Sequence, residues 1–124
     1  MPSLNRVQLI GYLGKDPESR FTTTGKKVCS FSMAVSHRWS TADGENKEAT
    51  EWFNIEAWGS LAEFAQSYLA KGRLVFVEGR FQTDRYEHEG ESRTRTKVVA
   101  SQVQALDRRT GEAEQESIQD EYAV

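Results

Sequence analysis

Between Thr50 and Gly59 the chain reads T-E-W-F-N-I-E-A-W-G, and its small apolar run falls on every second position. Phe53, Ile55 and Ala57 share one face, the pattern of a half-buried strand. The other face then holds Trp52, Asn54, Glu56 and Trp58, two indoles beside an amide and a carboxylate. A chain with this run must build a sheet that is apolar on one side and wet on the other, with two large aromatics on the wet side. Burying a large apolar side chain stabilises a fold by roughly 1.5–3 kcal/mol. Indoles left at a polar surface therefore suggest that something flat covers them. A protein surface would serve as well as a ligand, since aromatics are enriched at protein interfaces. On this strand alone both readings stand.

The same alternation recurs along the chain. In residues 5–13, Val7, Leu9, Gly11 and Leu13 share a face, and G-K-D-P at Gly14 to Pro17 ends the run. Residues 21–24 are short and extended, and Gly25 turns the chain. Cys29, Phe31, Met33 and Val35 then face one way, with Ser30, Ser32, Ala34 and Ser36 the other. Polar residues 40–49 read as a loop. Next, Leu61, Phe64, Ala65, Tyr68 and Leu69 follow the spacing of one helical stripe. Ser60 with Glu63 reads as a capping box, and Gly72 stops the helix. Beyond it, Val75, Val77 and Phe81 point to a core while Arg80, Gln82, Asp84 and Tyr86 point out. Residues 87–92 read as a loop turning at Gly90, and a last strand sets Arg93, Arg95 and Lys97 opposite Thr94, Thr96 and Val98. The expected architecture is all-β, a five-stranded OB-fold barrel with one helix between strands 3 and 4, a fold whose middle strands and long loops bind oligonucleotides or oligosaccharides. Trp39 shares the parity of Phe31 and Val35, so a bulge or the end of the strand is needed to swing it outward.

Charge divides the chain. Up to Thr110 there are 16 basic and 14 acidic residues, a body of +2, and the five acids beyond it give a tail of −5. The expected organisation is a binding domain over residues 1–110 and a short acidic tail over 111–124, disordered because it has little to bury. A single Cys29 offers no disulfide and fits a packing role in a reducing compartment. Residues 1–6 lead into an alternating segment rather than an apolar signal core, so a cytoplasmic protein with no membrane span is expected. Enzymatic motifs fail on spacing. G-Y-L-G-K-D at Gly11 to Asp16 lacks the first glycine and the hydroxyl residue of a phosphate-binding loop. Ser36 and His37 are adjacent on a strand and point to opposite faces. Glu87-His88-Glu89 has no partner cluster for a metal. No catalytic residue, metal or cofactor is expected.

N-R-V-Q-L-I-G-Y-L-G-K-D-P-E at Asn5 to Glu18, T-E-W at Thr50 to Trp52 and L-A-E-F-A-Q-S-Y-L-A-K-G at Leu61 to Gly72 form a collinear set over residues 4–108. Together they resemble the bacterial and mitochondrial single-stranded-DNA-binding proteins. The resemblance implies a homotetramer of OB-folds that wraps single-stranded DNA in replication, repair and recombination, in the cytoplasm and on the nucleoid. It implies stacking of bases on Trp39, Trp52, Trp58 and Tyr86, at roughly 1–3 kcal/mol per base, a magnitude known from such proteins and taken over from them. Stacking needs only the π-face every base has, so little sequence preference follows. Arg6, Arg38, Lys71, Arg73, Arg80, Arg85, Arg93, Arg95 and Lys97 are the candidates for phosphate contacts. The chain departs from the family in carrying Tyr86 where tryptophan is common, and in the acids Asp43, Glu45, Glu48, Glu87, Glu89 and Glu91 of its two loops. Relatives dock replication and repair proteins on a tail ending in Pro-Phe, whereas this chain ends D-E-Y-A-V. Two other classes remain open: an interaction module at replication forks with weak DNA binding, favoured by the modest +2 body, and an oligosaccharide-binding barrel, which has no need of the basic last strand.

Overall fold

Six strands and one helix succeed one another in the computed structural model, which describes residues 1–107: β1 (Val7–Leu13), β2 (Glu18–Phe21), β3 (Lys27–Ser40), β4 (Asn46–Trp58), α1 (Ser60–Tyr68), β5 (Leu74–His88) and β6 (Glu91–Ala105). The expected domain boundary at 110 and the tail 111–124 lie outside the described residues. β1 runs antiparallel to β5 from Val7↔Gly79 to Tyr12↔Leu74, and its end also meets β3 through Tyr12↔Ala34 and Leu13↔Met33. β4 lies parallel to β6 at Ile55↔Val98 and Glu56↔Val99. The ring β1–β5–β6–β4–β3 therefore closes on itself as the five-stranded OB-fold barrel, with α1 between its third and fourth strands. The short extended segment forms β2, an edge strand added to β3 outside the ring.

The core lies where the alternation puts it. Leu13, Cys29, Phe31, Met33, Ile55, Ala57, Val75 and Val77 are buried on the inner faces, and Ala62, Ala65 and Leu69 bring the helix onto the same cluster. Burial raises the Cys29 thiol pKa, against a hydrogen bond from Ser19 and the charge of Lys27, so the residue is a packing group. The capping box does not form. Gly59, at φ 60°, is the N-cap, no side chain caps the helix, and Glu63 reaches Lys27 at 3.1 Å instead. β6 holds one extra residue, Ser101, between Glu78↔Gln102 and Gly79↔Ala100. The bulge resets the parity, so that Val98 and Ala100 before it and Val103 and Ala105 after it all point inward. Gly79 is required beside it, because a Cβ there would run into the backbone carbonyl of Val99.

Both long hairpins extend further than the composition suggests. β3 and β4 pair without a break from Val28↔Trp58 to Ser40↔Asn46, so residues 46–49, expected in a loop, are strand, and only 41–45 turn the chain. β5 and β6 pair out to His88↔Glu91, which leaves Glu89 and Gly90 as a two-residue turn. Their φ values of 52° and 80° suit the tight hairpin turn that matches strand twist. Trp39 is outward without any bulge. Its register with Lys47 is regular, and it is exposed because the ribbon has left the barrel and has no core beneath it.

Candidate nucleic-acid interface

Register sorts the outward side chains onto one continuous surface. On β3 and β4 the pairs Ser30↔Glu56, Ser32↔Asn54 and Ala34↔Trp52 share the outer face. β6 joins β4 there, and Lys97, Arg95 and Arg93 continue the face to Gln82, Asp84 and Tyr86 of β5. An open groove of about 630 Å³ runs over this surface. Trp52, Trp58 and Tyr86 share this outer face at 61%, 36% and 40% exposure, Trp58 bonded to Glu56 and Tyr86 against Arg95 of the groove lining.

Each aromatic is held differently. Trp52 lies over the end of β1, where a Cβ on Gly14 would collide with its six-membered ring, so one edge of the indole is seated on bare backbone. Trp58 donates its indole N–H to Glu56 Oε1 at 2.8 Å. Val28, between Arg20 and Trp58 in the register, is fully buried although it belongs to the outer face, because the long side chains on either side cover it. Tyr86 has the Arg95 guanidinium 5.5 Å from its ring centroid, a cation–π contact, and remains 40% exposed. Trp39 is not brought to this surface. It shares the opposite face of the β3–β4 ribbon with His37, on which it stacks at 5.4 Å.

The charged residues separate into several roles. Glu56 is only 7% exposed, and besides the indole it takes Lys97 Nζ at 3.1 Å and stands 3.8 Å from Arg20. Lys97 also meets Asp84 at 3.0 Å. Burial opposes the Lys97 charge, but its bonds to Asp84 and Glu56 outweigh that and hold its pKa above the ordinary lysine value. Gln82 and then Lys97 hold the Asp84 carboxyl below its usual range, so it stays ionised. Arg93 and Arg95 are on the groove side, with Arg93 3.7 Å from Glu91. Arg80 shares their face and donates to Gln82 at 3.3 Å. Arg85 falls on the other face of its ribbon, as its pairing with Thr94 requires. Arg38 is exposed on the β3–β4 ribbon, 3.6 Å from Glu48, and Arg6 is exposed 3.9 Å from Glu78. Lys71 is an exposed turn residue whose N–H bonds Asp16.

Arg73 is not a phosphate contact. Its side chain is 3% exposed, with Nε donating to Asp107 at 2.6 Å and a terminal nitrogen to the Tyr68 carbonyl at 2.8 Å. The guanidinium joins the end of α1 to the end of β6, and no phosphate can reach it. Conversely, sequence reasoning placed Glu56 and Asp84 on this face but without their partners, and passed over Gly14 and Arg20 as parts of it. Only Arg20 had a usable signal, since reading residues 18–21 as a strand paired with β3 puts it beside Trp58.

A closed barrel whose outer face alternates seated aromatics with cations belongs to the OB-fold class that takes extended, flexible polymers. Within that class the chain belongs to the single-strand binding protein family, whose model matches residues 4–106. It is 47% identical over 105 residues to a single-stranded DNA-binding protein of Neisseria meningitidis, covering 84% of this chain and 60% of that protein. The single-stranded DNA-binding protein of Thermotoga maritima is 41% identical over 118 residues, 94% of this chain and 84% of its own. Among solved structures, a Plasmodium falciparum SSB in complex with ssDNA superposes with a TM-score of 0.80 at 29% identity, covering 86% of this chain and 98% of that one. A deletion mutant of the single-stranded DNA-binding protein from Thermus aquaticus gives 0.76 at 31% identity, over 86% of this chain and 52% of that one. The chain thus spans about 60% of the length of its Neisseria relatives.

Proposed function

We propose that this chain binds single-stranded DNA with little regard to sequence and coats transient single strands during replication, repair and recombination, in the cytoplasm and on the nucleoid. The observation that carries this reading is the shared outer face: Trp52, Trp58 and Tyr86 project from three different strand positions onto the face that also holds Arg93, Arg95 and the groove. Unpaired bases offer flat apolar faces that a duplex keeps stacked away, so such a surface selects the melted form. By mass action it then stabilises that form, acting through binding and not through catalysis. Trp39 serves a strand that passes along the other face of the β3–β4 ribbon. Phosphates meet Arg95 in the groove, Arg93 on the same face beyond it, and the exposed Arg6, Arg38, Lys71, Arg80 and Arg85 around it.

The working unit in this reading is a homotetramer. It is supported by Ile10 and Tyr12, each 55% exposed on the outer face of β1, and by the edge of β1 before Tyr12, which β3 leaves unpaired among the described residues. A light-scattering mass of one chain across the micromolar range would reject it. Binding is tested by tryptophan fluorescence, titrated with poly-dT and with duplex of equal length. Strong quenching by poly-dT and little by duplex is expected. Equal response to both, or none to either, would sink the reading and favour an interaction module.

A further inference from the structure

Lys97 lies in the middle of the stacking face, yet it is already occupied. Its Nζ stands 3.0 Å from Asp84 Oδ2 and 3.1 Å from Glu56 Oε2, and its side chain is 17% exposed. Both carboxylates are fixed by other partners. Glu56 is held by the Trp58 indole at 2.8 Å and faces Arg20 at 3.8 Å, while Asp84 accepts a hydrogen bond from Gln82 at 3.1 Å. The groove as a whole is balanced, since its lining includes four basic and four acidic side chains. A surface meant for a polyanion therefore contains anions of its own, seated where a phosphate would pair with Lys97.

We propose that Glu56 and Asp84 are built-in competitors of DNA phosphate for Lys97, so that this part of the groove holds a strand by stacking and contributes little counterion release. The proposal rests on the reading of the chain as a single-strand binder. A cation that neutralises a phosphate of a single strand adds about 0.7 to the slope of log affinity against log salt. A cation that keeps its internal carboxylates adds nothing. The two acids thus set the salt sensitivity of binding at β6, while Trp52, Trp58 and Tyr86 supply the grip.

The test uses the full chain, a fluorescein-labelled dT oligomer and anisotropy titrations from 50 to 200 mM salt. Glu56→Gln combined with Asp84→Asn keeps the side-chain shapes and an acceptor for the Trp58 indole, but removes both charges. Its slope should be steeper by about 0.7, so the fourfold rise in salt weakens it about 2.6-fold more than the native chain. Lys97→Gln should then lower the slope more in that double variant than in the native background. An unchanged slope in the double variant, or an equal effect of Lys97→Gln in both backgrounds, overturns the proposal. Asp84→Asn alone guards against a folding defect, because that side chain is exposed. At 50 mM salt it should raise affinity more than Glu87→Gln, an equal charge change near the tip of the same ribbon, and parity between the two counts against the proposal. If the native chain itself does not bind the oligomer, it is the single-strand reading that fails.

Discussion

Replacing Arg73 by Gln should unfold the barrel sooner without touching its hold on single strands. The side chain is 3% exposed and joins Asp107 at 2.6 Å and the Tyr68 carbonyl at 2.8 Å, while the second Asp107 oxygen accepts the Leu74 N–H at 3.2 Å. Removing one partner of a buried ion pair costs about 3–5 kcal/mol. Asp107 is 34% exposed, so water recovers part of its solvation, and the loss falls to about 2–3 kcal/mol. The orphaned Tyr68 carbonyl adds about 1 kcal/mol. For a domain near 100 residues each kcal/mol moves the melting point by about 4–8 °C, so the total of about 3–4 kcal/mol predicts a drop of about 12–32 °C. Melting followed by circular dichroism measures the drop, and dT titrations well below the transition measure binding. A melting point within a few degrees of native would refute the structural role. A dT salt slope shallower by about 0.7 would restore Arg73 as a phosphate contact.

The same pair gives a pH dependence. Burial works against the Asp107 charge, but Arg73 and the Leu74 N–H outweigh it and hold the carboxyl below its ordinary 3.8. A depressed folded value means stability that is full above 3.8 and lost as pH falls through the lower folded value. Melting points recorded from pH 6 to about pH 2 should fall less steeply at the acid end in Asp107→Asn than in the native chain. Trp52→Ala should weaken dT binding by about 1–3 kcal/mol with native circular dichroism, whereas the neighbouring Phe53→Ala, partly buried on the core side, should cost about 2–3 kcal/mol of stability. Unchanged dT affinity for Trp52→Ala would remove this indole from the mechanism. Gly14→Ala should push the Trp52 ring off its seat and weaken binding by up to the one stacked base, read by a shifted tryptophan emission; unaltered emission and affinity would show that the seat is idle. Deleting residues 111–124, with five acids, should raise dT affinity at low salt and lose that gain as the Debye length falls from about 30 Å at 0.01 M to about 8 Å at 0.15 M. A gain that survives at 0.15 M would refute the electrostatic account.

Strand faces were readable because a period of two is imposed by backbone geometry, which is why Phe53, Ile55 and Ala57 fall inside and Trp52 and Trp58 outside as the alternation requires. The helix was readable for the same reason at its own period, with Ala65 and Leu69 buried on the stripe. Its cap was not, because the Ser60 N–H and the Lys27 ammonium compete for the Glu63 carboxylate and only tertiary structure decides that contest. Residues 46–49 read as loop because a ribbon standing clear of the core is polar on both faces and has no alternation to show. Arg73 follows a helix-stopping glycine and has no local mark of burial; its partners come from Tyr68 and from Asp107, 34 residues away. Glu56 sits on the polar face of its strand as expected, but that Lys97 and Arg20 converge on it depends on the β4–β6 and β2–β3 pairings, which no single stretch of sequence encodes.

The two hairpins that outrun the barrel give the molecule a gradient of stiffness. Near Ile55 and Val98 the strands are clamped between a packed interior and neighbours on both edges, while from Ser36 to Thr50 the ribbon has only its own ladder. A two-stranded ribbon by itself is marginal in water. Backbone amides at the hub should therefore exchange with solvent on the timescale of global opening, and those of the arms through local fraying. A polymer resting on the hub meets a surface already ordered, whereas one gripped by the arms must supply the order itself, at an entropic cost that the hub does not incur. On the proposed reading, contacts at the hub would form without that cost, and contacts on the arms, Tyr86 among them, could be given up and remade while a strand stays in place.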